Sequence, residues 1–300
     1  MYIFIQQVIN GLTIGSIFAL IALGYTMVYG TMKFINFAHG DLVALSAFVG
    51  LTIYTTVVSS FSNSIIAILI SLIITIVIIS IIGYLLERIA YRPLRKAPRL
   101  SAVVSALGAG MVFQNAIMLI WGPNPHYYPA DIIPNKIWHF GDSVISLIQI
   151  LILLLSFFIM IGLYILVNKT RTGRAIRAAA INQDAARLMG INVDAIIVII
   201  FALGSTLGAV GGMFLGMFYR GITFNMGWNY GISAFVAAII GGIGNIPGAM
   251  LGGIFLGLFN SLIAGYISST WADAFTYILL ILILIFKPTG ILGERVAEKV

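Results

Sequence analysis

The chain has 300 residues, of which 61% are hydrophobic and 8% charged, with 16 Lys and Arg against 9 Asp and Glu. Soluble domains run to roughly 25% charged residues, so this composition belongs to an integral membrane protein. The lack of cysteine excludes disulfides, thiolate metal sites and a Cys nucleophile. The basic excess lies in loops beside apolar runs, where orientation in a membrane accounts for it without any nucleic acid.

Runs of about 17 to 25 apolar residues are long enough to cross a hydrocarbon core of roughly 30 Å as helices. Taken along the chain, such runs fall near 8 to 30, 42 to 60, 64 to 86, 101 to 121, 144 to 167, 195 to 218, 231 to 265 and 271 to 286. The first has no Lys or Arg ahead of it and reads as a retained span, not a cleavable signal peptide. The seventh is too long for one span, and GGIGNIPG (Gly241 to Gly248) divides it into two short or broken helices meeting at a turn. A further short segment around 34 to 41 can change the count. Cytoplasmic loops keep Lys and Arg. Placing Lys33, the Arg88 to Arg99 connector, the Asn168 to Val193 segment and the C-terminal tail inside leaves only Lys136 and Arg220 outside. The expected fold is all-α: a polytopic transmembrane bundle of about 8–10 spans, one domain over residues 1–300, with its N-terminus outside and its C-terminus inside.

Several kinds of chemistry have no starting point in this sequence. No lysine follows a glycine, so there is no phosphate-binding loop, and ATP-driven work requires another polypeptide. His39, His126 and His139 have no close metal-ligand spacing, and no G-x-S-x-G elbow occurs. Neither a metal site nor catalysis is expected. Asp41, Glu87, Asp194 and Asp273 all fall at span ends, which weakens a proton- or ion-coupled mechanism, although unwound backbone carbonyls can also bind Na⁺.

Polar interruptions are the remaining clues. In NFAHGD, Asn36, His39 and Asp41 either line the cytoplasmic end of a path, with Gly40 permitting a bent backbone, or cap helix ends. Arg88 to Arg99, broken by Pro93 and Pro98, reads first as a membrane-surface anchor and second as a further docking contact. Gln114 and Asn115 line a path or bond between helices. Trp121 to Asp142, with Pro123, Pro125, Pro129, Pro134, Tyr127, Tyr128 and Trp138, is an external loop that either presents a rigid surface to a partner or anchors at the interface. Asn168 to Val193 carries five of the sixteen basic residues. It is expected to form a thin Ala-rich helix capped by Thr172 and stopped by Gly190, serving as a lipid anchor or as a docking site. Most glycines of GGIGNIPGAMLGG suit close helix packing, with Gly244, Asn245, Pro247 and Gly248 the candidates for a break. NFAHGD and GGIGNIPG, both on one side, can mark corresponding points of an internal repeat.

The segment TRTGRAIRAAAINQDAARLMGINV is similar to the cytoplasmic coupling segment of branched-chain amino acid ABC transporter permeases of the LivH type. NFAHGD, FALGSTLGAVGGMFLG, AFVAAIIGGIGNIPGAMLGGIFLG and KPTGILG extend the resemblance along nearly the whole chain. It implies a multi-pass permease of the bacterial inner membrane, forming half of a translocation path. The implied partners are a homologous second permease or a second copy, two cytoplasmic ATPases that hold the ATP and Mg, and a periplasmic amino-acid-binding protein. It also places the ATPase contact on Gly173, Arg174, Arg177, Ala178, Asn182, Ala185, Ala186 and Gly190. The candidate path residues, Asn36, His39, Asp41, Gln114, Asn115, Gly244 and Asn245, come from the polar interruptions themselves. The implied cargo is leucine, isoleucine or valine, while related permeases carry other amino acids, amides or urea. Two other readings stay open on the residues alone: an ion-coupled transporter or channel acting without an ATPase, and a scaffold without transport.

Overall fold

The computed structural model describes residues 2–58, 61, 64–95, 97–129 and 136–293. Pro134 of the external loop, Lys96 of the Arg88 to Arg99 connector, and Arg295 and Lys299 of the C-terminal tail lie outside the described residues. Helices follow the apolar runs: α1 (Tyr2–Met32), α2 (His39–Val58), α3 (Ser64–Leu86), α4 (Arg99–Trp121) and α5 (Leu147–Lys169). Two short helices come next, α6 (Arg171–Ile181) and α7 (Gln183–Leu188), then α8 (Val193–Tyr219), α9 (Met226–Gly241), α10 (Ile246–Tyr266) and α11 (Ala272–Phe286). Seven of these are long and apolar enough to span a membrane, while α9 and α11 are shorter apolar helices. The long seventh run does divide, into α9 and α10, with Gly242 and Gly244 at φ +104° and +98° making the turn. Residues 34 to 38 add no span.

Within a bilayer the helices gain nothing by hiding apolar surface from lipid, so close packing of small residues must hold them together. α1 shows this most clearly. From Ile17 to Leu23 its residues are completely buried, apart from 3% of Phe18, because neighbours enclose it on all sides. It packs antiparallel to α10, where a Cβ added at Gly257 would sit 2.2 Å from Gly15 Cα and one at Gly253 would sit 2.3 Å from Ala19 Cα. Across from α8, Gly24 faces Gly204. Polar bonds reinforce the outer end, where Asn10 Oδ1 accepts from Gln149 Nε2 of α5 at 3.0 Å and Ser261 Oγ of α10 donates to Gln7 O at 2.8 Å.

The rim is built for lipid. α3, α4 and α5 turn Ile73, Val77, Ile81, Val104, Val112, Leu119, Phe157 and Phe158 outward. One side of the bundle carries Lys33, connector residues 87 to 95, 97 and 98, α6 and α7, the 242 to 245 turn and residues 287 to 293. Bonds join these elements directly, Gln183 Nε2 to Thr31 O and Asn245 Nδ2 to Leu292 O, both at 3.0 Å. The opposite side holds two small antiparallel pairings. β1 (His126–Tyr127) meets β4 (Gly221–Ile222), and β2 (Ile137–Phe140) meets β3 (Ser143–Ser146). Lys136 and Arg220 are on that side, so the basic residues distribute as the positive-inside rule requires of an external N-terminus.

The outer loop is stitched inward by Tyr128, which is 2% exposed and donates to Ala47 O at 2.7 Å; burial pushes its phenol above the usual tyrosine range. Its ring fills the notch at Gly216.

Replacing Gly257 with Leu is expected to wedge α1 from α10 and cost about 1–3 kcal/mol or more, as overpacked cores do. Gly162→Ala, where an added Cβ meets nothing within 4 Å, is expected to be neutral or slightly stabilising. Thermal unfolding of the two variants in detergent checks the contrast.

Candidate functional site

The NFAHGD segment lies deeper than expected. Lys33, at φ +56°, ends α1, and residues 34 to 38 then climb back alongside it before α2 begins at His39. His39 Nε2 lies 3.2 Å from Ile21 O, and Ile21 is eleven residues, about 16 Å, above the end of α1. This places the start of α2 near mid-membrane and corrects its assignment to the cytoplasmic end. The reason is a socket in three dimensions: His39 occupies space left free by Gly24 and Gly208, with Tyr25 edge-on at 4.7 Å between ring centroids. Asn36 accepts from Tyr91 OH at 2.6 Å, so its side chain is a strut to the connector that follows α3.

Asp41, 8% exposed, stands in the first turn of α2 between Gly110 of α4 and Gly227 of α9. Gly40 meets Gly227 and Gly231, so the N-terminal turns of α2 and α9 abut at this depth. Two helix N-termini and one acidic side chain therefore share the site.

The other path candidates are dispersed. Asn115 is exposed on α4 and returns its amide to Met111 O at 2.7 Å within its own helix, with Gln114 half-buried beside it. Gly244 shapes the turn, and Asn245 caps α10 by accepting from Gly248 N at 2.9 Å. Residues 291 and 292 return to bond with Ile240 O and Gly241 O at 2.8 and 3.0 Å, closing that turn against the KPTGILG segment.

The Asn168 to Val193 segment is two helices, not one. Thr170, rather than Thr172, is the N-cap of α6: its Oγ1 accepts from Gly173 N at 3.0 Å and donates to Leu166 O at 2.6 Å. At Asn182 the backbone is extended, and the side chain caps α7 by accepting from Asp184 N at 2.9 Å and Ala185 N at 3.0 Å. Gly190, at φ +81°, stops α7, and Asn192 caps α8. Gly173 and Ala186 are buried against the bundle, Arg177 is half-buried and donates to Val167 O, and Ala178 is half-buried. Arg174, Asn182, Ala185 and Gly190 face outward. Sequence reasoning missed what stands beside them: Ile181, Leu188 and Met189 are 88%, 89% and 82% exposed. Three large apolar side chains so exposed on a polar surface are a marked local signal.

Behind α7 lies a cavity of about 740 Å³, lined among others by Phe34, Tyr91, Arg95, Gln183, Arg187 and Asp194. Arg95 forms ion pairs with Glu87, whose side chain is 1% exposed, and with Asp194 at the start of α8. The 88 to 99 connector is therefore pinned to α8, a more specific role than a surface anchor. Among the described residues no group of three or more His, Asp or Glu side chains is placed to hold a metal ion.

The fold defines a polytopic transmembrane helical bundle, with a surface helix pair joined to its central spans. The sequence places it more narrowly. Residues 7–284 match the family described as branched-chain amino acid transport system, permease component, and the chain belongs to that family. It is 42% identical over 305 residues to the high-affinity branched-chain amino acid transport system permease protein BraD of Pseudomonas aeruginosa, covering 100% of this chain and 99% of that protein. It is 40% identical over 303 residues to LivH of Escherichia coli K12, covering 99% and 98%. Among solved structures, PsaBC from Streptococcus pneumoniae in complex with Fab aligns with 95% of this chain and 90% of that one, at 12% identity and a TM-score of 0.41. As a permease component, the chain is a transport subunit of a membrane complex with other subunits.

Arg95→Ala is expected to leave Glu87 buried without its cation and to destabilise the protein by about 3–5 kcal/mol, as broken buried pairs do. Replacing both together, Glu87→Leu with Arg95→Met, is expected to recover most of that loss in a detergent thermal melt.

Proposed function

We propose that this chain forms half of the translocation path of an ATP-driven importer for branched-chain amino acids in the bacterial inner membrane. A periplasmic binding protein delivers the substrate. A second permease, homologous or identical, completes the path, and two cytoplasmic ATPases dock on α6 and α7. ATP and Mg belong to those ATPases, and this chain holds no cofactor.

The observation that carries the reading is the outward face of α6 and α7. Arg174, Ile181, Ala185, Leu188 and Met189 are all exposed, three of them large and apolar, on the side that holds most of the chain's Lys and Arg. The helix pair is bound to the transmembrane helices at three places. Thr170 and Arg177 fix α6 to the end of α5, Gln183 fixes α7 to Thr31 of α1, and Asn192 continues the chain into α8. A partner gripping the pair would thereby move three spans at once. A lipid anchor needs no such linkage.

The test is reconstitution in proteoliposomes with the cognate permease, ATPases and binding protein. Wild-type complex is expected to take up leucine only with ATP. Ile181→Asp combined with Leu188→Asp is expected to lower uptake and ATP hydrolysis at least tenfold, with the ATPases lost on co-purification. Leucine flux through this chain alone under an ion gradient would overturn the reading, as would full uptake by the double variant.

A further inference from the structure

A second cavity, of about 270 Å³, opens on the side opposite the basic segment, between the outer ends of α8 and α11 and the first turns of α9. Its floor reaches membrane depth: it touches Phe18 of α1 and Asn260, six residues or about 9 Å below the end of α10. Polar groups at such depth must meet protein or water, because lipid cannot satisfy them. Neither the Asn229 nor the Asn260 amide has a hydrogen-bond partner among the described residues. The polar lining is thus left available for something that enters.

The lining has a definite polarity. Asp273 stands at the rim, in the first turn of α11, within electrostatic reach of the Tyr219 and Tyr230 phenols, whose rings lie 5.6 Å apart. No Lys, Arg or His lines the cavity among the described residues. A carboxylate beside two electron-rich rings attracts an ammonium group. The two free amides can donate to a carboxylate, and Phe18 and Met226 supply an apolar wall. The volume is slightly below the roughly 300–1,000 Å³ of sites for drug-sized ligands, a scale that suits a single small metabolite.

We propose that this cavity is an outward-facing subsite for a zwitterionic α-amino acid with an apolar side chain. Asp273 and the Tyr219–Tyr230 pair take its ammonium, Asn229 and Asn260 take its carboxylate, and Phe18 and Met226 meet its side chain. The inference rests on the amino-acid importer reading and deepens it, by giving this chain its own step of substrate recognition after release from the binding protein.

The experiment uses the complete reconstituted complex at saturating leucine-loaded binding protein, with radiolabelled leucine uptake and ATP hydrolysis measured together. Wild-type uptake checks the importer reading independently of the cavity. Asp273→Asn and Asn260→Ala are each expected to lower leucine uptake at least fivefold while ATP hydrolysis stimulated by the binding protein stays within twofold of wild type. Asp273→Glu, which keeps the charge, is expected to recover part of the uptake. Two results overturn the subsite while leaving the importer reading intact: uptake lowered less than fivefold in both variants, or uptake and hydrolysis falling in parallel. If wild-type uptake requires Na⁺, the carboxylate serves a metal cation and the ammonium assignment is overturned.

Discussion

Close backbone contact along α1 is the constraint on which the remaining architecture depends. Lipid provides no solvophobic force between helices, so the bundle needs surfaces that fit without side chains in between. Gly15 and Ala19 on α1 meet Gly257 and Gly253 on α10, and Gly24 meets Gly204 on α8. Those contacts fix the height of α1 relative to both neighbours. The same helix then sets the position of every polar feature. Ile21 and Gly24 seat His39, Thr31 receives Gln183, and Phe18 forms part of the outer cavity wall.

The depth at which α2 starts follows from this. A helix beginning in mid-membrane exposes backbone N–H groups that lipid cannot satisfy. Here the start of α2 abuts the start of α9 at Gly40 and Gly227, and Asp41 is placed between the two. An acidic side chain thereby stands beside two helix N-termini, each of which begins with backbone N–H groups that have no partner within the helix. Asp41 thus has a structural role even before any role in a path. The glycines at 40 and 227 permit it, since a Cβ at Gly227 would lie 2.7 Å from Asp41 Oδ1.

What was legible in the sequence is what depends on local composition. The spans, the division at GGIGNIPG and the sidedness of Lys and Arg all follow from hydropathy and charge in short windows, which the bilayer enforces residue by residue. What was not legible depends on contacts between distant segments. The depth of His39 requires glycines from two other helices. Arg95 is one basic residue among several in its connector until Glu87 and Asp194 converge on it. Thr170 and Thr172 are equally competent caps by type, and the choice is made by the end of α5, where Leu166 O accepts from Thr170 Oγ1. Asn182 did carry a signal. An Asn followed by Asp at the second position is a helix start, and it divides a segment that alanine content alone would run together.

That division matters for how motion at the surface reaches the spans. A single continuous helix resting on the membrane could roll without disturbing what lies above it. Two helices set at an angle by the Asn182 cap cannot, because each has its own attachment. α6 is fixed to α5 through Thr170, Gly173 and Arg177, whereas α7 is fixed to α1 through Gln183 and leads directly into α8. Displacing the exposed Ile181, Leu188 and Met189 edge would therefore load α5 from one side of the bend and α1 with α8 from the other. The Arg95 pairs with Glu87 and Asp194 extend the load to the end of α3. α1 is also locked to α10 by the glycine contacts, so it can tilt only together with its neighbours. A shift at Thr31 would be carried along one rigid helix for thirteen residues, about 20 Å, to Phe18 at the edge of the outer cavity.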